Sequence, residues 1–206
     1  MSCAGPSSGG EEATTLSFSL GGSASRSALG AGTTVYIGIT GDYKKTLVAQ
    51  VGEQVVVENV PVGAEIGVIA AASDSGAGID YYLASCPSYT VQNGANTVTL
   101  SMQRVELHGG ATPSDISLSI YAMDGPSRSP LTLPDGFCSW KAGSQAFTEA
   151  GSASSVTMER VAFVNKYGSS GSSPGQMVYN NFTTCIVTVG SWSASLDSSE
   201  VTADNS

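Results

Sequence analysis

The sequence predicts an all-β protein: a seven-stranded antiparallel β-sandwich followed by a second, smaller β-rich region. Runs with an apolar residue at every second position recur along the chain, the period of a strand with one buried face. Turn residues such as Gly41-Asp42, Pro61 and Asn93-Gly94 punctuate these runs about every 8–12 positions, as in small sheet proteins. Hydrophobic residues make up 41% of the 206 and charged residues only 12%, a usage that favours packed sheets over helical bundles or disorder.

The first strand is marked by Leu16, Phe18 and Leu20 on one face with Ser17 and Ser19 between them, ended by Gly21-Gly22. Val35, Ile37 and Ile39 alternate in the next, and Gly41-Asp42 turns the chain. Residues 46–51 and 54–60 read as a hairpin closed by Gly52-Glu53 and ended by Pro61, which lacks an amide donor. Residues 65–72 and 80–85 supply two more strands, the latter extended by 89–91. Asn93-Gly94 is a hairpin signal ahead of Val98, Leu100 and Met102. Seven strands therefore fit between residues 14 and 105, a pattern suited to two packed sheets.

Beyond residue 105 the signal is sparser. Ile116, Leu118, Ile120 and Ala122 define a strand over 115–123, closed by Asp124-Gly125-Pro126, and Leu131-Leu133 is a candidate edge strand confined by Pro130 and Pro134. Residues 135–154 read as a loop pinned by Phe137, Trp140 and Phe147. Residues 156–164 and 184–192 read as strands separated by a Gly/Ser-rich spacer at 167–175. The chain divides accordingly into a flexible tether at 1–13, a sandwich domain at 14–105, a second β-rich domain or sandwich extension at 106–195, and a disordered acidic tail at 196–206.

The segment Val57-Glu58-Asn59-Val60-Pro61-Val62-Gly63-Ala64-Glu65-Ile66-Gly67-Val68 resembles the strand, Val-Pro-x-Gly, strand element of prealbumin-like and carboxypeptidase-regulatory-like modules, and the late Asn93-Gly94 turn is similar to theirs. Glu65-Ile66 stands where those modules often carry a tyrosine. With its Gly/Ser-rich start, the chain is similar in style to spirochaetal surface lipoproteins. The resemblance covers about residues 14–105 and implies an immunoglobulin-like binding or spacer module without catalytic residues.

Cys3, followed by a small, polar stretch to Glu12, resembles the lipid-bearing cysteine of a bacterial lipoprotein after removal of its signal peptide. A tether of about ten residues behaving as a Gly/Ser coil reaches roughly 17–19 Å. An ordinary free cysteine is the alternative. Of Cys86, Cys138 and Cys185, the last two are a candidate disulfide in an oxidising compartment; three small buried apolar side chains are the other reading. No apolar run approaches the roughly 18 residues of a membrane-spanning helix. A net charge of -9 without a basic cluster repels phosphate backbones, so nucleic acid is not an expected partner.

No catalytic residues are expected: His108 is the only histidine, and no GxSxG element accompanies it. No cofactor or metal is expected either. The carboxylates of Asp74 and Asp80 flank a glycine-rich loop, but most acids of a calcium loop are missing. Trp140, Tyr121 and Trp192 are a candidate ligand platform for sugar rings, with packing of sheet faces as the ordinary alternative. The expectation is a non-enzymatic lipoprotein at the outer membrane or cell surface, acting in adhesion or binding of an envelope or host protein and touching membrane only through its lipid. The alternative is a carbohydrate-binding module.

Overall fold

The computed structural model describes residues 12–22, 29–74, 79–111, 115–142, 145–147, 155–159 and 176–204. Cys3, the rest of the expected tether to residue 11, residues 160–164 and the spacer at 167–175 lie outside the described residues. Among the described residues the chain is all-β, without a helix.

The first half forms β1 (Ala13–Gly22), β2 (Thr34–Gly41), β3 (Lys45–Gln50), β4 (Gln54–Pro61), β5 (Glu65–Asp74), β6 (Asp80–Thr90) and β7 (Asn96–Ala111). Their hydrogen-bonded path runs β3-β2-β5-β6-β7-β1-β4. One link is brief: β6 and β7 pair only at Tyr82–Arg104 and Leu83–Gln103. Past that point they part. β6 stays beside β5, while β7 runs parallel to β1 from Leu16–Asn96 to Gly22–Met102. This parallel pair departs from the antiparallel arrangement expected from sequence; the long intervening chain supplies the crossover that parallel strands require.

The parted strands enclose a core. Leu16, Phe18 and Leu20 of β1, Val57 and Val60 of β4 and Val98, Leu100 and Met102 of β7 pack against Val35, Ile37 and Ile39 of β2 and Ile66, Val68, Ala70 and Ala72 of β5. Removing each large member from water contributes about 1.5–3 kcal/mol. Val57 and Val60 are three apart yet both buried, which strict alternation forbids. A bulge opposite β1 resolves the conflict, with Asn59 at φ 61 absorbing the extra residue.

The hairpin expected between β3 and β4 does not form: β3 pairs with β2, and β4 with β1. The connecting turn is centred on Val51-Gly52, with the Glu53 amide donating to the Gln50 carbonyl at 3.0 Å and positive φ confined to Gly52. A turn with positive φ only at its third residue is not a primed hairpin turn, and it splays the flanking strands. The strands meet face to face through Ala49 and Val57 instead. β6 and β7 do pair antiparallel about Asn93-Gly94, but only far from the turn: Gly94 has φ 95 while Asn93 remains at negative φ, so the turn is not of the primed type and the strands open beside it.

The second half adds β8 (Asp115–Asp124), β9 (Ser127–Pro130) and β12 (Ser155–Glu159) to the β7 side of this sheet. A four-stranded sheet comprises β10 (Cys138–Ala142), β11 (Gln145–Phe147), β13 (Gln176–Val189) and β14 (Trp192–Asp204). Its Trp140, Val187, Val189, Trp192, Ala194 and Leu196 pack on Ile69, Ala71, Leu83, Val105, Leu107, Leu118 and Ile120. β5 is therefore covered on both faces, which explains its unbroken burial from Ile66 to Ala72. β7 passes without interruption through the expected boundary at 105/106, so the second region extends the first region's sheet.

Several local expectations are corrected. Residues 138–142 and 145–147, expected within a loop, are strands, because Cys138 and Trp140 alternate inward around Ser139. Residues 184–192 are not one strand: Gly190-Ser191 forms a two-residue hairpin with Val189 opposite Trp192 and Gly190 at φ 60, the Gly-x pattern of a type II′ turn. The stretch expected as a disordered tail is strand as far as Asp204, paired to β13. The edge strand in this neighbourhood is β9 rather than Leu131-Leu133, whose last residue is buried. At the other end Glu12 is already docked, its carbonyl accepting the Val62 amide at 2.8 Å, so any free tether is shorter than expected.

Two glycines seat the segment joining β9 to β10. A Cβ on Gly38 would lie 2.5 Å from the Phe137 ring, and one on Gly67 would lie 2.6 Å from Pro134. The bare backbone of β2 and β5 is thus the shelf on which residues 134–137 rest.

Candidate functional site

The second half of β7 sends Val105 and Leu107 into the core and turns Arg104, Glu106 and His108 to the opposite face. Pairing brings Met123, Tyr121 and Ser119 of β8 directly opposite these three, and β9 sets Arg128 beside Met123 and Pro130 beside Tyr121. The result is a continuous row. Arg104 Nη1 donates to Asp80 Oδ1 at 3.4 Å and Nη2 donates to Glu106 Oε1. Glu106 Oε2 lies 3.2 Å from His108 Nε2, and His108 Nδ1 lies 3.4 Å from Arg128 Nη1. An arginine can only donate, so Nδ1 is the acceptor in that contact and the Nε2 proton points at Glu106. The His108 ring stands edge-on to Tyr121, centroids 5.2 Å apart and planes at 89°.

These contacts contribute little to the fold. Side-chain exposures of 37% for Arg104, 52% for Asp80 and 34% for Glu106 leave the pairs in water, where each contributes about 0–1 kcal/mol. What the row provides is order: charges of both signs held at fixed spacing along a strand, beside an aromatic edge. Such a surface can match alternating charges on another protein.

A concavity of about 440 Å³ lies where residues 133–135 meet the ends of β2 and β5, lined by Thr40, Lys44, Glu65, Ser88, Pro134 and Asp135 among others. Its rim is held by a reciprocal pair: the Asp42 amide donates to the Glu65 carbonyl at 3.0 Å, and the Glu65 amide to Asp42 Oδ2 at 3.0 Å.

The expected ligand platform is not assembled. Trp140 and Trp192 are 2% and 7% exposed and face the large sheet, because the inward phase of β10 and β14 falls on them, whereas Tyr121 lies on the other side of that sheet. Trp192 is fixed by a bond from Nε1 to Ser73 Oγ at 3.4 Å and by a T-shaped contact with Tyr81, ring centroids 6.1 Å apart. Trp140 Nε1 is buried without a hydrogen-bond partner.

Cys138 and Cys185 sit diagonally on β10 and β13, Cα atoms 6.6 Å apart, and are joined as a disulfide. Cys86 is a free, partly buried thiol; burial pushes its pKa up, with a backbone hydrogen bond at Ser88 acting in the opposite sense. Cys3 lies outside the described residues. The middle of the Asp74–Asp80 loop also lies outside them, and Asp80 itself is engaged by Arg104. Among the described residues no cluster of His, Cys, Asp or Glu could hold a metal ion.

The charged row went unpredicted although its signal stood in the sequence. Arg104, Glu106 and His108 continue the period-two pattern of Val98, Leu100 and Met102 with the polar phase changed, a strand pattern carried past its expected end. No protein-family model matches the chain, and no curated protein matches it.

Proposed function

We propose that this chain is an exported, non-enzymatic binding module, lipid-anchored through Cys3 at a bacterial outer membrane or cell surface, that engages a protein partner of the envelope or host through the face of β7, β8 and β9. The observation that carries this reading is the ordered row Asp80, Arg104, Glu106, His108 and Arg128 beside Tyr121. Exposed ion pairs of this kind are nearly neutral for folding, so a role in recognition accounts better for their alignment. Two further features support export. The Cys138–Cys185 bridge suits an oxidising compartment, and the small, polar stretch after Cys3 suits a tether.

The test has two arms. Solid-phase binding of the purified chain to envelope extracts and to host-matrix proteins is expected to be positive for one of them, and to fall at least about tenfold in an Arg104→Glu, Arg128→Glu variant, as for charge reversal at an interface. Radiolabelled palmitate fed to cells expressing the full gene is expected to enter the protein and to be lost in Cys3→Ala. Binding unaffected by the double reversal removes the β7–β9 face from the proposal, and absence of label removes the anchor.

A further inference from the structure

The path of strands around the first core has two open ends, β3 and β4, each paired on one side only among the described residues. The two edges differ in how they meet solvent. β4 carries the Asn59 bulge, exposes Glu58 and ends at Pro61, all features that discourage a further strand from adding. β3 has no bulge, and its one charged residue, Lys45, stands at its first position, outside the stretch Thr46–Val48. Its register with β2 is unbroken from Thr34–Gln50 to Ile39–Lys45, it contains neither proline nor an acid, and Val48 is 63% exposed.

Alternation fixes which backbone groups face outward. The Val51 amide donates to the Thr33 carbonyl at 2.9 Å, so the odd-numbered residues turn their amides and carbonyls toward β2, and Thr46, Val48 and Gln50 turn theirs away. The outward amide of Gln50 is already taken, by Glu53 Oε2 at 2.9 Å. Thr46 and Val48 are left presenting donors and acceptors to solvent, with no further strand beside them among the described residues.

We propose that β3 is a self-pairing edge, onto which β3 of a second copy of this chain docks antiparallel about a two-fold axis at Leu47. In that register Thr46 faces Val48 of the second copy, and Val48 faces its Thr46, so every free amide of this edge finds a carbonyl while the Gln50 cap stays in place. Charge selects a copy of the same chain over a foreign strand. Lys44 falls opposite Gln50 of the second copy, whose amide holds the Glu53 carboxylate, and symmetry repeats the contact at the other end. Neither Lys44 nor Lys45 has an ion-pair partner among the described residues. The interface is short, so the association is weak and concentration-dependent in solution.

Sedimentation velocity of the full chain over a concentration series, in a Cys3→Ser, Cys86→Ser background that excludes thiol cross-linking, tests this directly. A monomer–dimer equilibrium is expected, with Val48→Lys monomeric throughout. Lys44→Glu alone is expected to weaken the dimer by about tenfold or more, as like charges then face each other, and Lys44→Glu with Glu53→Lys is expected to restore it. Circular dichroism of each variant checks that the strands remain. A chain that stays monomeric at millimolar concentration, a dimer indifferent to Val48→Lys, or a charge exchange that fails to restore association overturns the proposal. Because it reads out without any other protein, its failure leaves the β7–β9 binding face standing.

Discussion

Asn96 and Gln92 close a ring of two hydrogen bonds: Asn96 Oδ1 accepts the Gln92 amide at 2.8 Å, and Asn96 Nδ2 donates to the Gln92 carbonyl at 2.8 Å. The same side chain reaches Gly94 at 3.0 Å, Thr15 at 3.4 Å and the Tyr89 hydroxyl at 3.1 Å, so the loop before β7 and the start of β1 are tied by one buried amide, 2% exposed.

Replacing it leaves several buried groups without partners. Asn96→Ala is expected to cost about 2–4 kcal/mol. Asn96→Asp is expected to be at least as damaging at neutral pH, because a carboxylate cannot donate to the three carbonyls, and to recover in part under mild acid as it protonates. Urea denaturation at two pH values reads both.

The glycine shelf predicts a non-additive pair. Gly38→Ala pushes a methyl into Phe137 and is expected to cost about 1–3 kcal/mol. Phe137→Leu, which withdraws the ring, is expected to relieve part of that cost, so that the double variant is more stable than the sum of the singles. A double-mutant cycle by thermal denaturation measures the coupling.

The Cys138–Cys185 bridge spans 47 residues, and Cys185 is fully buried. Its removal in Cys138→Ala, Cys185→Ala is expected to cost about 2–4 kcal/mol. Because the sulfurs lie between sheets, reductant is expected to act on the native protein only slowly, as timed thiol labelling will reveal.

Cys86 carries a thiol whose pKa is raised by burial above the ordinary value of 9.0. Alkylation by iodoacetamide in a Cys3→Ser background is therefore expected to accelerate at a higher pH than for an unfolded cysteine peptide. The matching effect on stability has a definite sign. The contribution is intact below pH 9.0 and is lost as pH rises toward the folded pKa, since only the unfolded chain ionises freely there. Cys86→Ser is expected to remove that portion of the alkaline decline.

The sequence identified the strands of the first half because each carries its alternation on a buried face: Leu16, Phe18 and Leu20, or Val35, Ile37 and Ile39. It misassigned the partners of β3 and β4. Pairing depends on which turn dihedrals Gly52 and Gly94 adopt, and neither Gly52-Glu53 nor Asn93-Gly94 records in its letters whether the chain folds back beside itself or crosses a core. The second half is less legible because Trp140 and Phe137 sit among Ser and Gly with few regular neighbours, and their burial follows from contacts with β2 and β5 far away in sequence. For the candidate site, the sequence points to Tyr121 as a ligand contact, but its neighbours His108 and Arg128 come together only once β7, β8 and β9 lie side by side.

β7 gives Val98, Leu100 and Met102 to one core and Val105 and Leu107 to the other. A strand shared in this way binds the fates of both halves, since melting either one strips its cover from the other. Cleaving the gene after residue 105 should accordingly yield two fragments that cannot sustain native order alone, and in the intact protein the amides of β7 should be the last to exchange with heavy water, in a single concerted step.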